Sequence, residues 1–196
     1  MTEPEPESQS EHSAARDWDD DAIHATDDAE VGVDDLNLNL DPRTDAEALC
    51  LCSLLWTTTA VARVVVDALN PHDFYNTTYG TLFGLITTQV RTGRPHDPAS
   101  IVSAITIAGG GHHAQLTLRT LTDVTIAGAG PESVGHYAAA VAAAAYRRGY
   151  IAAAVALTQA ATELAEADLF EHLLTIGRER RTALQRLEQV RGTLGH

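Results

Sequence analysis

The sequence predicts an all-α protein: a helical bundle of about six helices followed by a long antiparallel helical hairpin. Three observations point there. Apolar residues recur at intervals of three and four between residues suited to cap a helix. Gly and Pro gather at a few separators, Asn70-Pro71, Gly109-Gly110-Gly111 and Gly128-Ala129-Gly130-Pro131. The last stretch repeats apolar residues in heptads. With 44% hydrophobic residues but only 5% aromatics, the core must be built from Ala, Leu, Val and Ile. A length of 196 residues allows one ordinary domain plus an appendage.

Thr44-Asp45-Ala46-Glu47 reads as a capping box, in which Thr44 and Glu47 answer free N–H groups at a helix start. Ala48, Leu51, Cys52 and Leu55 follow at helical spacing. A second helix near 60–69 carries Val61, Val64, Val65 and Leu69 on one side, and its β-branched run depends on packing. Asn70-Pro71 stops it and opens a single turn, from which Phe74 and Tyr75 plug the core. A third helix, about 76–91, turns Tyr79, Leu82, Phe83 and Ile86 inward. Asp97 and Pro98 supply the N-cap and first residue of a fourth, with Ile101, Ile105 and Val102 inward until three glycines end it. A short helix over 116–121 comes next. From Glu132 a long helix places Tyr137, Val141 and Ala144 on one face, continued by Ile151 and Val155. Asp168-Leu169-Phe170-Glu171 resembles a second capping box. Behind it Leu169, Leu173, Ile176, Arg180, Ala183, Leu187 and Val190 form a heptad seam with one Arg inside. Two long helices joined near Glu166 make the hairpin.

Charge divides the chain. Residues 1–43 hold 14 Asp/Glu against Arg16 and Arg43, a net of −12, whereas 44–196 hold 13 acids against 11 Arg, a net of −2. An acidic, aromatic-poor segment cannot bury enough apolar surface to offset its chain entropy. The organisation is therefore a disordered acidic tail (1–43), a globular bundle (44–130), and a long helix with the hairpin (131–196) completing the domain and offering an assembly surface. Trp18, Ile23 and Leu36-Asn37-Leu38-Asn39-Leu40 could anchor the tail to a basic partner.

Several functions are excluded or disfavoured. All 13 basic residues are Arg, so no Walker A phosphate loop, which needs a Lys, is present. No nucleotide, cofactor or metal is expected. Cys50 and Cys52 sit two apart on a helix and should not bridge each other. His112-His113 lies in a Gly-rich loop without further ligands at metal spacing. The N-terminus lacks a signal-peptide pattern, and the longest apolar run, 134–146, is shorter than the ~20 residues a spanning helix needs. A cytoplasmic protein is expected.

Pro71, Asp73, Phe74 and Tyr75, then Leu82, Phe83 and Ile86, then Gly93, Pro95 and Asp97, follow in the order of a Pro-x-Asp-Phe-Tyr turn, an aromatic-centred helix and a Gly-x-Pro-x-Asp loop. Tyr137-Ala138, Val141, Arg147-Arg148 and Ile151 extend the pattern. This series, over about residues 44–190, resembles the N-terminal domain of DnaB-type bacterial replicative helicases. The chain departs at Tyr79, where that family often has His, and the 196 residues contain no counterpart of the ATPase domain.

The resemblance implies a non-catalytic module of DNA replication that binds copies of itself, as a dimer or a ring of dimers, and a replicative helicase, a primase or both. It also implies that the hairpin packs on a neighbouring subunit's, through Leu169, Leu173, Ile176, Leu187 and Val190. Arg178 and Arg181, three apart on one flank, suit an acidic partner helix. The alternatives are a remnant or regulatory helical dimerisation protein, or a domain like the helicase-binding domain of primase. Catalysis through His72-Asp73, His96-Asp97 or His112-His113 is the weaker reading, because each pair lies at a helix boundary that capping explains. Direct nucleic-acid contact by Arg178, Arg180, Arg181, Arg186 and Arg191 is disfavoured by the near-neutral charge of 44–196.

Overall fold

The computed structural model describes residues 41–109 and 111–194. The acidic span up to residue 40, with Trp18, Ile23 and the 36–40 alternation, lies outside the described residues. Residues 41–43 form a turn in which Asp41 accepts the Arg43 N–H at 3.0 Å and the chain enters the first helix.

Among the described residues the fold has seven α-helices: α1 (Ala46–Trp56), α2 (Thr59–Ala68), α3 (Thr77–Arg91), α4 (Pro98–Ala108), α5 (His112–Thr125), α6 (Val134–Glu163) and α7 (Glu166–Leu194). Two 3-10 turns, Pro71–Asp73 and Pro131–Ser133, bridge α2 to α3 and α5 to α6. Among the described residues there is no strand.

The helix α1 is the axis of the core. Ala48, Cys50, Leu51, Cys52, Ser53, Leu54 and Leu55 are all buried, so it is covered nearly all round, by α3, α5 and α6. Its start differs from the expected capping box. Asp45, not Thr44, is the N-cap, accepting the Glu47 N–H at 2.9 Å, and Thr44 turns its hydroxyl back to the Asp41 carbonyl. Glu47 is thereby released from local capping and reaches 28 residues along the chain.

In α2 the inward face is Ala62, Val65 and Val66, continued by Leu69, while Val61 and Val64 stay partly exposed. A valine run satisfies two adjacent helical stripes equally well, and the small Ala62 sets which stripe approaches the core. The expected inward set of α3 holds, with Tyr79, Leu82, Phe83 and Ile86 buried and Val90 added. In α4, Ile101 and Ile105 are buried but Val102 is exposed. Ala144 is exposed on α6, where Val134, Ala138, Val141 and Ala142 face inward.

Helices α6 and α7 form the antiparallel hairpin. Gly135 faces the backbone of Leu194, and Gly149 faces Arg180, in both cases so closely that a β-carbon would overlap. Asp168 is not an N-cap, since α7 already begins at Glu166. It lies in the first turn, where the helix dipole favours an acid. The proximal half of the hairpin is part of the main core. Val134, Ala138, Val141, Leu187 and Val190 share one cluster with residues of α1, α2 and α3.

Candidate interaction surface

The Asn70–Asn76 segment carries most of the quoted motif, and its role is architectural. Asn70 and Asp73 form a reciprocal cap, in which the Asp73 carboxylate accepts the Asn70 N–H at 2.7 Å. Pro71 opens the 3-10 turn at its first position, where no N–H is needed. Phe74 inserts into the core with its ring 5.0 Å from that of Phe83. On α3, Gly80 lets the turn lie directly on the helix: a β-carbon there would come within 2.6 Å of the Pro71 carbonyl oxygen.

Around this turn four charged side chains from four segments interlock. Glu47 of α1 accepts the N–H groups of Tyr75 at 2.6 Å and Asn76 at 3.1 Å, one on each oxygen. Arg148 of α6 stands 3.6 Å from Glu47, donates to the Asp73 carbonyl, and lies over the Tyr75 ring with its guanidinium carbon 5.6 Å from the centroid. Arg186 of α7 pairs with the buried Asp73 carboxylate and reaches the Ala68 carbonyl at 3.4 Å. Burial raises the Glu47 carboxyl above its ordinary value, against the two backbone N–H bonds and Arg148, which lower it. The arrangement joins the hairpin to the bundle, and it leaves no open acid–base pair for chemistry.

The second motif is likewise a connector. Gly93, at φ +70°, ends α3 in a Schellman arrangement, with Gly93 N–H on the Val90 carbonyl and Arg94 N–H on that of Gln89. Pro95 is exposed, and Asp97 caps α4 through the Ala99 and Ser100 N–H groups. The Ser100 hydroxyl, at 2.6 Å, is the main influence holding the Asp97 carboxyl below its ordinary value. At the departure position, burial, with the nearby Asp45 charge second, pushes the Tyr79 pKa up to about 12. The buried Cys50 thiol is also pushed up to about 12, mainly by desolvation, which leaves it inert. Tyr137 is half-buried and Arg147 exposed.

The distal half of the hairpin presents the other surface. Leu173 is 47% exposed, beside exposed Tyr150 and Leu184, and these three line a groove of about 480 Å³ with Leu157 and Ile176. Phe170, Ile151 and Val155 are exposed nearby in sequence on the same two helices. Arg178 and Arg181 are exposed on α7, and Arg181 borders the groove. The expected assembly seam is thus split. Leu187 and Val190 are 5% and 1% exposed and belong to this chain's own core, so they are not free for a neighbour. Leu173 is exposed, and Leu169 and Ile176 are half-buried.

The model of the DnaB-like helicase N-terminal domain family matches residues 40–143, just over half of the chain. The chain belongs to that family. The match takes in the Asn70–Asn76 segment, the Gly93–Asp97 loop and Tyr137, and it stops within α6. Glu47 and Asp73 of the interlocked cluster therefore lie inside it, and Arg148 and Arg186 beyond it. The crystal structure of the N-terminal domain of DnaB helicase from Mycobacterium tuberculosis is similar in fold, with a TM-score of 0.59 at 24% identity. The alignment covers 70% of this chain and 94% of that one. No curated protein sequence matches. As a DnaB N-terminal-like domain, the chain keeps the turn and the loop, but their side chains are occupied in holding helices together. Sequence reasoning missed Glu47 and Arg186, whose partners lie 28 and 113 residues away.

Proposed function

We propose that this DnaB N-terminal-like domain is a non-catalytic module of DNA replication that assembles with copies of itself and binds a replicative helicase, a primase or both. The observation that carries the reading is the distal hairpin. A groove lined by Tyr150, Leu157, Leu173, Ile176 and Leu184 is left uncovered by the described helices, and apolar patches of this kind mark association surfaces. Arg181 borders it, Arg178 is exposed three residues earlier on the same helix, and together they select an acidic partner, since each guanidinium can fork onto a carboxylate. Family membership supports a role beside a replicative helicase. Such a protein works in the cytoplasm, and among the described residues no helix is long and apolar enough to cross a membrane.

The test measures binding of the full chain to the helicase and primase of its source organism by biolayer interferometry. One exposed ion pair is worth only ~0–1 kcal/mol, so both arginines are reversed together. Arg178→Glu with Arg181→Glu should weaken binding while circular dichroism stays helical. Unchanged affinity for both partners would remove this flank from the interface, and no affinity of the wild type for either would end the proposal.

A further inference from the structure

The hairpin changes character part-way along its length. Its proximal part is tied to the bundle by Arg148, through Glu47 and the Asp73 carbonyl, and by Arg186, through the Asp73 carboxylate. Past that level, no apolar residue from 149 to 180 belongs to the core or packs against it, among the described residues. In that stretch Ala160 alone of the apolar side chains is buried. The distal arm therefore rests chiefly on the pairing of its two helices with each other, and segments with so few buried contacts sit at the low end of local stability.

That pairing is weakest where the arm begins. The heptad positions of α7 are apolar except at Arg180. Opposite it stands Gly149, so close that a β-carbon would overlap the guanidinium. A glycine and a charged side chain thus meet at a layer of the seam that apolar side chains would normally fill. Gly177 lies three residues from Arg180, less than one turn of α7 away. A β-carbon built at Gly177 meets no atom within 4 Å, so no close approach requires a glycine there. Each helix carries, in its interior and at nearly the same level, the residue with the freest backbone and the poorest helix propensity after proline.

We propose that the hairpin has a hinge at the level of Gly149 and Gly177, about which the distal arm bends as a body while the proximal part stays fixed to the bundle. The arm reaches about 21 Å from Gly149 to the end of α6 at Glu163, so a bend of about 20° displaces its end by about 7 Å. The groove draws Leu157 and Leu173 from the arm and Leu184 from the proximal part, so its width follows the bend. The hinge stands whether or not the groove takes a partner.

The experiment measures distances within the full chain by double electron–electron resonance. Spin labels are placed on Thr88→Cys in α3 together with either Ala144→Cys in the proximal hairpin or Ala161→Cys in the arm, all exposed positions. Cys50 and Cys52 are buried and escape labelling, and dilution with unlabelled chain restricts the reading to single chains. The 88–161 distances should spread about 7 Å more widely than the 88–144 distances. Gly177→Ala should narrow that spread, and adding Gly149→Ala with Arg180→Leu should bring it to that of the proximal pair. Gly192→Ala makes the same exchange in the proximal part of α7, also into open space, and should leave the spread unchanged. A wild-type arm placed as narrowly as Ala144, or a spread that persists in the combined variant, would overturn the hinge. So would equal narrowing by Gly192→Ala, which would show general stiffening of α7. Hydrogen exchange separates bending from melting: amides 155–160 should exchange about tenfold or more slowly than amides 149–152. Equal rates would show that the arm unfolds instead of bending, and the proposal would fail.

Discussion

Glu47→Gln separates the two opposing forces on the carboxylate at the centre of the fold. In the wild type each oxygen accepts one backbone N–H, from Tyr75 at 2.6 Å and from Asn76 at 3.1 Å. Glutamine retains one acceptor and sets an amide donor against the other N–H. A buried donor left unsatisfied costs about 1–3 kcal/mol. Loss of the 3.6 Å pair with Arg148 adds little, because that arginine is 25% exposed and keeps the Asp73 carbonyl and the Tyr75 ring. The net loss near neutral pH is about 1–3 kcal/mol, or about 3–9 °C in unfolding temperature for a domain of this size. The pH dependence has a definite sign. Burial raises the Glu47 carboxyl above its ordinary 4.5, so between that value and its folded pKa the native state binds more protons than the unfolded one. The group's contribution is complete below 4.5 and declines as pH rises through the folded pKa. The advantage of wild type over Glu47→Gln should therefore narrow with rising pH across that window, measured by denaturant unfolding at a series of pH values. An advantage that widens instead would show that Arg148 and the N–H groups outweigh desolvation, and the reasoning would be refuted.

Two further substitutions test the packing. Gly80→Ala drives a β-carbon to within 2.6 Å of the Pro71 carbonyl oxygen and should cost about 1–3 kcal/mol by lifting the turn off α3, seen as a lower unfolding temperature with helicity retained. Leu187→Ala removes a side chain that is 5% exposed in the core and should cost about 2–5 kcal/mol. Unaltered stability with a changed molecular mass would instead make Leu187 an interface residue.

Most of the helical plan was legible, and the reason is local. Helix starts are written in a few adjacent residues, as at Asp97-Pro98, and ends in a glycine whose positive φ suits no other residue well, as at Gly93. Inward faces were legible where one apolar stripe stood alone, as in α3. They were not where two stripes competed, as with Val61 and Val64 against Ala62 and Val66 in α2. Thr44 and Glu47 matched a capping box in type and spacing, yet Asp45 made the cap, because a distant turn offered Glu47 two N–H groups. The heptad seam showed that α7 has an apolar stripe. It could not show that Leu187 and Val190 face this chain's own bundle while Leu173 is left exposed, because that depends on how far α2 and the turn extend along the hairpin. Arg186 looked like one more basic residue on α7, and only the fold brings Asp73 to it.

The measurement that bears most directly on the interaction-module account is the solution mass of the full chain by light scattering across a concentration series, with Leu173→Asp alongside. The uncovered groove predicts a wild type of two or more chains and a Leu173→Asp variant reduced to single chains, with helicity and unfolding temperature preserved because Leu173 is already 47% exposed. A wild type that stays a single chain throughout, or a mass that Leu173→Asp does not alter, would contradict it.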